Sequence, residues 1–338
     1  MSLFETVKGI WKSDPASIRE QAEDNPDIVI SEIGTLEQAL IQGDEDEQAI
    51  AADAIATGVL ANTSVGETPD VFQVILQNVN SDDPDVRQPL VRALRRAAPV
   101  VGGDGKRQLL ASSHTLARLL ERDDQYTVQW VLPAVSRAVK EYPDPFLEHT
   151  DTIATGLDSD EDAIVTSAIE TLATVAEQHY KPIKPHVPKL LEQTEGTRPY
   201  QEAEAMRTVA LVAANAPSVI DEVDYVSALK TMHSRDEVIH QQFAVRAMGY
   251  LLSADPDRYH DNTLLPLVKH SLRHQNNHIQ KDAAIACLRI IRNTDIDILS
   301  DPRIAQEIHY SIKQYDLRDQ LMNIDTVTER VKDAAGGA

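Results

Sequence analysis

The stretch SDDPDVRQPLVRALRRAAPVV, residues 81–101, decides how this chain is expected to fold. It opens on acidic residues and a proline, which are favoured around the first turn of a helix. Small or apolar residues then recur at the spacing of one helical face, at Leu90, Ala93, Leu94 and Ala97. The stretch therefore predicts an amphipathic helix that buries one stripe and exposes the opposite face.

The same stripe recurs along the chain. Its anchor residues are Ala51, Leu90, Val131, Ala168, Ala205, Ala244 and Ala284. They lie 39, 41, 37, 37, 39 and 40 residues apart, and a second apolar segment followed by a polar turn precedes each anchor. One helix pair per ~39 residues predicts an all-α fold, an α-solenoid of about seven to eight helix pairs, because stacking buries faces that no pair can bury alone. No segment has the pattern of a β-strand.

These repeats resemble those of a known family. SDDPDVRQPLVRALRRAA (81–98) is similar to the second helix of a HEAT repeat, with its Asp-Pro turn, Val-Arg pair and Ala/Leu stripe. The segments 140–163 and 176–193 are similar to the joints between repeats in HEAT-repeat proteins of halophilic archaea. The resemblance covers about residues 26–310 and implies an armadillo-like α-solenoid. The Asp/Arg pair of many HEAT arrays is complete only at Asp85 and Arg87, so we expect apolar packing to set most of the register between repeats.

The ends of the chain differ from the repeats. The expected organisation is N-terminal capping helices at 1–25, a repeat array at 26–300, C-terminal capping helices at 301–333 and a tail at 334–338. The segment MSLFETVKGIW has Ser2 and Glu5 at capping-box spacing and one apolar face. We expect it to cover the first repeat. The alternative is an amphipathic anchor for a membrane or a partner.

The chain is strongly acidic, with 54 acids against 32 bases and a net charge of −22. This balance, and the excess of arginine over lysine, resemble proteins of salt-loving archaea, in which molar salt screens self-repulsion. No apolar run is long enough to cross a bilayer. The single cysteine, Cys287, excludes an intrachain disulfide and is expected to be a small buried hydrophobe. We expect a cytoplasmic protein.

The excess of acids is absent from residues 81–145, which we call the band. The band holds 10 bases and 9 acids, whereas residues 1–80 hold 3 bases and 15 acids. Helical geometry turns the side chains of Arg92, Arg95 and Arg96 away from the buried stripe. One hypothesis is that the cations of the band neutralise acidic turns nearby; the other is that they dock an acidic partner. The partner-binding candidates are Arg87, Arg92, Arg95, Arg96, Trp130 and Arg137. For Trp130 the alternative is packing at the edge of the core.

Sequence patterns of catalysis are absent. His270, His274 and His278 would share a face on one continuous helix and are weak metal candidates, but a polar turn is expected to end the helix before His278. No phosphate-binding glycine loop or nucleophile elbow occurs. We therefore expect no enzyme, cofactor or metal, and a scaffold that binds a protein segment carrying acids and large apolar residues. The alternatives are a nucleic-acid-associated HEAT-repeat protein using the 81–145 band, which the overall acidity makes unlikely, and a lyase-type accessory enzyme.

Overall fold

Helices make up every regular element in the computed structural model, which describes residues 14–195, 198–221, 223–259, 264–317 and 325–336. The expected all-α class is confirmed for those ranges. The chain divides into two compact units, Met1–Thr174 and Val175–Ala338. Within the described ranges, no helix combines the length and the apolar character that a bilayer crossing requires.

The first unit is built from helix pairs joined by short helical connections. Its α-helices are α1 Pro15–Ala22, α2 Ile28–Ser31, α3 Ile33–Gln42, α4 Glu45–Ala61, α5 Thr63–Glu67, α6 Pro69–Asn78, α7 Pro84–Ala97, α8 Gly103–Ala111, α9 Ser113–Leu119, α10 Gln125–Val139, α11 Thr150–Ala154 and the greater part of α12 Asp162–Gln178. Short 3₁₀ turns at Asp144–His149 and Thr155–Asp158 flank α11. Neighbouring long helices pack on one another, α1 on α4, α4 on α7 and α7 on α10.

The second unit repeats this plan. Its helices are α13 Tyr180–Ile183, α14 Val187–Gln193, α15 Pro199–Asn215, α16 Tyr225–His233, α17 Val238–Ala254, α18 Pro256–Tyr259, α19 Leu264–Ser271, α20 Asn277–Asn293, α21 Pro302–Tyr315 and α22 Asp325–Gly336, with 3₁₀ turns at Lys184–His186 and Pro217–Ile220. The long helix α17 packs between α15 and α20. All seven predicted anchors, one on each long second helix from α4 to α20, are fully buried, so the stripes are confirmed as the core.

Aspartate side chains cap the first turns of α4, α7 and α10, as the acidic turns predict, whereas α15 and α17 begin without a side-chain cap bond. The Asp83 carboxylate accepts from the amide of Asp85 at 2.9 Å, and the Asp124 carboxylate accepts from the amide of Tyr126 at 3.0 Å. Asp44 and Glu47 form a complete capping box at the start of α4. These bonds satisfy amides that have no partner inside the helix, and each is typically worth about 1 kcal/mol.

Two prolines lie inside helices, a position that proline normally avoids. Pro89 lies inside α7 and Pro133 inside α10. Each removes one backbone donor, so one intrahelical hydrogen bond is lost in either helix. Packing against neighbouring helices therefore has to hold α7 and α10 straight enough to stay in their layers.

Polar contacts between successive repeats are more frequent than the sequence predicted. The buried Arg87 guanidinium donates to the Thr127 hydroxyl of the next repeat at 3.3 Å, and the His240 ring lies 3.2 Å from the Glu202 carboxylate. Asp282, 4% exposed, pairs with Arg246 at 2.9 Å. Register thus rests on apolar stripes together with buried polar links that use several residue types besides the Asp/Arg pair.

The structure describes the two ends of the chain to different extents. The segment with the predicted capping box, residues 1–13, lies outside the described residues, and the description begins just before α1. Two helices, α21 and α22, follow the last repeat, and α22 continues to Gly336, into the stretch predicted to be a tail. Cys287 is fully buried, as predicted, and burial raises the pKa of its thiol to about 12.

Candidate functional site

A groove of about 1010 Å³ lies in the first unit, on the side of the second helices that faces away from the buried stripes. The helices α4, α7, α10 and α12 contribute most of its lining. Five of the six predicted binding residues line it: Arg92, Arg95, Arg96, Trp130 and Arg137. The helical phase of α7 brings the three arginines here, since the opposite face carries Leu90 and Leu94.

Arg95 and Trp130 form the best-defined contact of the groove. The Arg95 guanidinium lies 4.5 Å from the centroid of the Trp130 ring, within the range of a cation–π interaction. Trp130 is itself stacked on Tyr126, with ring centroids 4.1 Å apart. Arg95 also pairs with Glu161, which stands just before α12. Trp130 is thus both an edge of the core and a wall of the groove.

The phenol of Tyr126 responds to this environment. Burial raises the pKa of Tyr126, and the positive charges of Arg92 and Arg95 only partly oppose that effect. The phenol therefore stays protonated and keeps a hydroxyl donor near the arginines at neutral pH.

The other groove arginines differ in how much of their hydrogen-bonding capacity is used. Arg92 has no hydrogen bond or ion pair to any residue that the structure describes. Arg96 is exposed and donates once, to the Thr63 hydroxyl at 2.9 Å. Arg137 donates to the backbone carbonyls of Pro99 and Val101 and so holds the loop that follows α7. Arg92 and Arg96 are therefore the cations most available to a ligand.

Arg87 lies elsewhere. It is 7% exposed, and its guanidinium donates to the carbonyls of Ser81 and Asp82 at 2.8 and 3.0 Å and lies 3.6 Å from Asp124. Burial opposes ionisation of Asp124, yet hydrogen bonds from Thr127 and from backbone amides hold its pKa below the usual range. Arg87 closes the contact between repeats, so the structure does not bring it to the groove.

The neutralisation hypothesis thus holds for part of the band. Arg122 pairs with Asp82 at 2.9 Å and Lys106 pairs with Glu141 at 3.0 Å. These pairs and Arg87 do what that hypothesis requires, whereas Arg92 and Arg96 pair with no carboxylate of the described chain.

The candidates chosen from the sequence left out Ser136, Lys140 and Glu170, which line the groove, and Glu161, which pairs with a groove arginine. Ser136 and Lys140 both contact the Glu170 carboxylate, at 2.8 and 3.2 Å. Glu161 reaches Arg95 from 66 positions further along the chain. An alignment of the repeats would have found Ser136 and Glu170, because Arg95, Ser136 and Glu170 lie on the second helices α7, α10 and α12.

Charge and apolar surface occur side by side in the groove. Its lining holds five cations, Arg92, Arg95, Arg96, Arg137 and Lys140, and three acids, Glu67, Asp162 and Glu170. Leu60 and Val100 also line it and are 40% and 49% exposed. An excess of positive charge beside exposed apolar side chains can bind a segment that carries both acids and large apolar residues.

The three candidate histidines are separated, as the turn between the helices predicted. His270 lies on α19, His274 lies in the turn and His278 lies at the start of α20. His233 is the histidine near the first two: burial lowers its pKa, and the charges of His270 and His274 add to that effect. No cluster of three or more metal-ligating His, Cys, Asp or Glu side chains occurs in the described part of the chain.

Comparison with known proteins establishes the fold. No protein-family model and no curated protein matches the chain. Among solved structures, an engineered protein from a structural genomics consortium matches with a TM-score of 0.64 at 18% identity, covering 100% of this chain and 98% of the other. A designed armadillo repeat protein matches with a TM-score of 0.51 at 16% identity over 64% of this chain and 99% of the other.

A second designed armadillo repeat protein, solved in complex with a peptide (KR)4, has a TM-score of 0.50 and 17% identity over 64% of this chain and 98% of its own. At these identities the similarity concerns the fold. This chain has the all-α, armadillo-like solenoid fold that its repeats predict.

Proposed function

We propose that the protein is a non-catalytic binding scaffold and that the groove of the first unit docks an acidic peptide segment. The observation that carries the proposal is the contrast in charge. A chain of net charge −22 concentrates five cations against three acids in one groove, and Arg92 and Arg96 lack carboxylate partners there. Such a local field attracts and orients a negatively charged partner.

The groove also offers apolar contacts, and these decide how the complex responds to salt. Leu60 and Val100 are exposed on its lining, and the Trp130 ring lies beneath Arg95. Exposed ion pairs weaken as salt rises, whereas apolar burial does not. The partner segment is therefore expected to carry acids for orientation and one or two large apolar side chains for affinity.

A fold neighbour supports peptide binding by this architecture. The second designed armadillo repeat protein described above was solved with the peptide (KR)4, in which K and R stand for lysine and arginine. The charges are reversed here, because the groove is cationic. A repeat scaffold can present either sign, since the residues on the exposed face of the second helices are not needed for packing.

The test is a titration of the full chain with a labelled peptide that contains four glutamates and a leucine, followed by fluorescence anisotropy. Arg92→Gln removes an unpaired groove cation, while Arg118→Gln removes an exposed cation outside the groove with the same change in charge. We expect Arg92→Gln to weaken binding about fivefold and Arg118→Gln to leave it unchanged. Equal losses for the two variants would show non-specific attraction and overturn the proposal.

Two further titrations separate the alternatives. Release of the peptide that is complete between ~0.1 M and ~0.5 M salt would show a contact without the apolar component. Tighter retention of duplex DNA than of the peptide would favour the nucleic-acid alternative, with the steep salt dependence typical of phosphate contacts.

Four further statements belong to the proposal. We infer that the chain is not an enzyme, that it works in the cytoplasm, where a reduced Cys287 is expected, and that it comes from a salt-loving organism, as the acidity suggests. We also infer that 1–25 and 301–333 cap an array at 26–300. Activity screens, location in the source cells and truncation at these boundaries are the corresponding tests.

A further inference from the structure

A second cavity, of about 240 Å³, lies in the second unit between the helices α15, α17 and α20. It shares no residue with the groove of the first unit. Gln242, Arg246 and Tyr250 stand on successive turns of α17 at its wall. Lys281, Ile285 and Arg289 stand on successive turns of α20 opposite them.

Two ion-pair networks form one side of this cavity. The buried Arg207 guanidinium bonds Glu204 at 2.8 Å through Nε and Glu177 at 2.7 Å through Nη1. Burial opposes the charge on Arg207, but the hydrogen bond and charge of Glu204 together with the charge of Glu177 raise the pKa of Arg207. Arg246 pairs with Asp282 at 2.9 Å. These two arginines hold the wall and have their carboxylates already.

The α20 side of the cavity is different. Lys281 has no ion pair or hydrogen bond to any described residue, and Arg289 has no carboxylate partner but lies 4.1 Å from the centroid of the Tyr250 ring. Stacking fixes the Arg289 side chain while it leaves the guanidinium edge able to donate. The Gln242 amide is also without a partner among the described residues. The cavity therefore offers two half-buried cations and one amide to a ligand.

The spacing of the residues on α20 indicates which kind of ligand fits the cavity. Lys281, Ile285 and Arg289 are four residues apart in turn, so at a rise of ~1.5 Å per residue the backbone positions of the two cations stand ~12 Å apart along α20 with Ile285 midway. A ligand that extends along α20 can meet all three side chains at once. In an extended peptide, alternate side chains share a face and stand ~6.7 Å apart, so residues i, i+2 and i+4 span ~13 Å.

We propose that this cavity is a second peptide-binding site, which takes an extended segment with two acidic side chains four residues apart and an apolar side chain midway. The acids meet Lys281 and Arg289, and the apolar side chain lies over Ile285. The Gln242 amide on α17 donates to and accepts from the peptide backbone. The site does not rest on the function proposed for the first unit, because its residues, its unit and the spacing of its ligand are its own.

The experiment uses the full chain carrying Arg92→Gln and Arg96→Gln, so that the groove of the first unit is weakened. Two labelled peptides of identical composition are compared. In one, two glutamates stand four residues apart with a leucine midway; in the other they stand three residues apart, which puts them on opposite faces of an extended chain. We expect the first peptide to bind at least about fivefold more tightly.

Variants then locate the site. Lys281→Gln is expected to remove the preference for the four-residue spacing, Lys281→Arg to keep it, and Lys313→Gln, an exposed cation of the same unit outside the cavity, to leave binding unchanged. Helical content and melting temperature show whether each variant is folded. Equal binding of the two peptides, or equal effects of Lys281→Gln and Lys313→Gln, would overturn the proposal. Complete loss of peptide binding on introducing Arg92→Gln and Arg96→Gln would also overturn this proposal, whereas the function proposed for the groove of the first unit would stand.

Discussion

Two arginines five positions apart on α7 show what decides the role of a charged side chain. Arg87 is buried and bonded to the next repeat, whereas Arg92 faces the groove without a partner. Arg87→Gln is expected to lower the free energy of unfolding by about 1–3 kcal/mol, because carbonyl and carboxylate acceptors lose their donor. Arg92→Gln is expected to stay within about 0.5 kcal/mol. Urea unfolding followed by circular dichroism measures both, and a reversed order would contradict these assignments.

Glu161 forms an ion pair with Arg95 in the free protein, so it competes with any acidic ligand for that guanidinium. Glu161→Gln is expected to strengthen binding of the acidic peptide about threefold to fivefold, since the ligand no longer has to displace a carboxylate. Asp160→Asn, a neighbouring exposed acid, is the matched control for the change in net charge. If both variants strengthen binding equally, Glu161 acts only through the overall charge of the chain.

Cys287 is expected to be inert in the folded protein. Its thiol is fully buried and has a pKa raised to about 12, so the reactive thiolate is scarce at pH 8 and reagents have no access. A thiol reagent such as DTNB should react only at the rate of local or global unfolding. Immediate stoichiometric reaction in the absence of denaturant would show that α20 opens readily.

For single residues, the sequence predicted which way a side chain faces but not which residues it contacts. The period of a helix sufficed to place Arg92, Arg95 and Arg96 opposite the buried stripe, and the structure finds all three in the groove. The burial of Arg87 depends on Thr127 and Asp124, which arrive from the next repeat. A contact across forty positions follows from stacking geometry, which the residues of one repeat do not contain.

The helices α17 and α20 pack closely against each other at Gly249. A Cβ added at Gly249 would lie 2.6 Å from the Cβ of Ala286 and 3.0 Å from its Cα. Gly249→Ala is therefore expected to force the two helices apart and destabilise the protein by about 1–3 kcal/mol. Chemical denaturation of the full chain measures the loss.

Gly34 supplies the matched control for that substitution. It lies within α3, and a Cβ there would meet nothing within 4 Å. Gly34→Ala is expected to stabilise the protein by about 0.4–1 kcal/mol, because alanine has less conformational freedom to lose on folding. Destabilisation by Gly34→Ala as well would show that an added methyl group is unfavourable even without a close contact, and the loss at Gly249 could then not be assigned to the approach of α17 to α20.

The sequence predicted where helices occur, but it did not predict where a helix is interrupted. The seven long second helices follow from their stripes, with starts set by residues such as Asp83 and Asn276 that cap the first turn. The first members of the pairs are more broken: α8 and α9 stand where one helix was expected, and α11 is flanked by 3₁₀ turns. Their apolar spacing survives such breaks, so periodicity alone does not reveal them.

For the whole chain, net charge is the dominant physical fact. At −22, self-repulsion opposes the compact state at low ionic strength and is screened as salt rises. The melting temperature is expected to rise between ~0.1 M and ~2 M potassium chloride. That salt is chosen because sulfate stabilises most proteins through exclusion from their surface. A melting temperature that stays constant or falls as the potassium chloride concentration rises would contradict the inference of a salt-loving source.

The stack of Arg95, Trp130 and Tyr126 gives this protein an optical label of its own. The chain has two tryptophans, of which Trp11 lies outside the described residues. In a Trp11→Phe variant, all indole emission arises from Trp130, whose ring lies 4.5 Å from the guanidinium that an acidic ligand would draw away from Glu161. Emission intensity and wavelength depend on the groups that contact the indole. Occupancy of the groove can therefore be followed in unlabelled protein, at any salt concentration, from the light that one side chain emits.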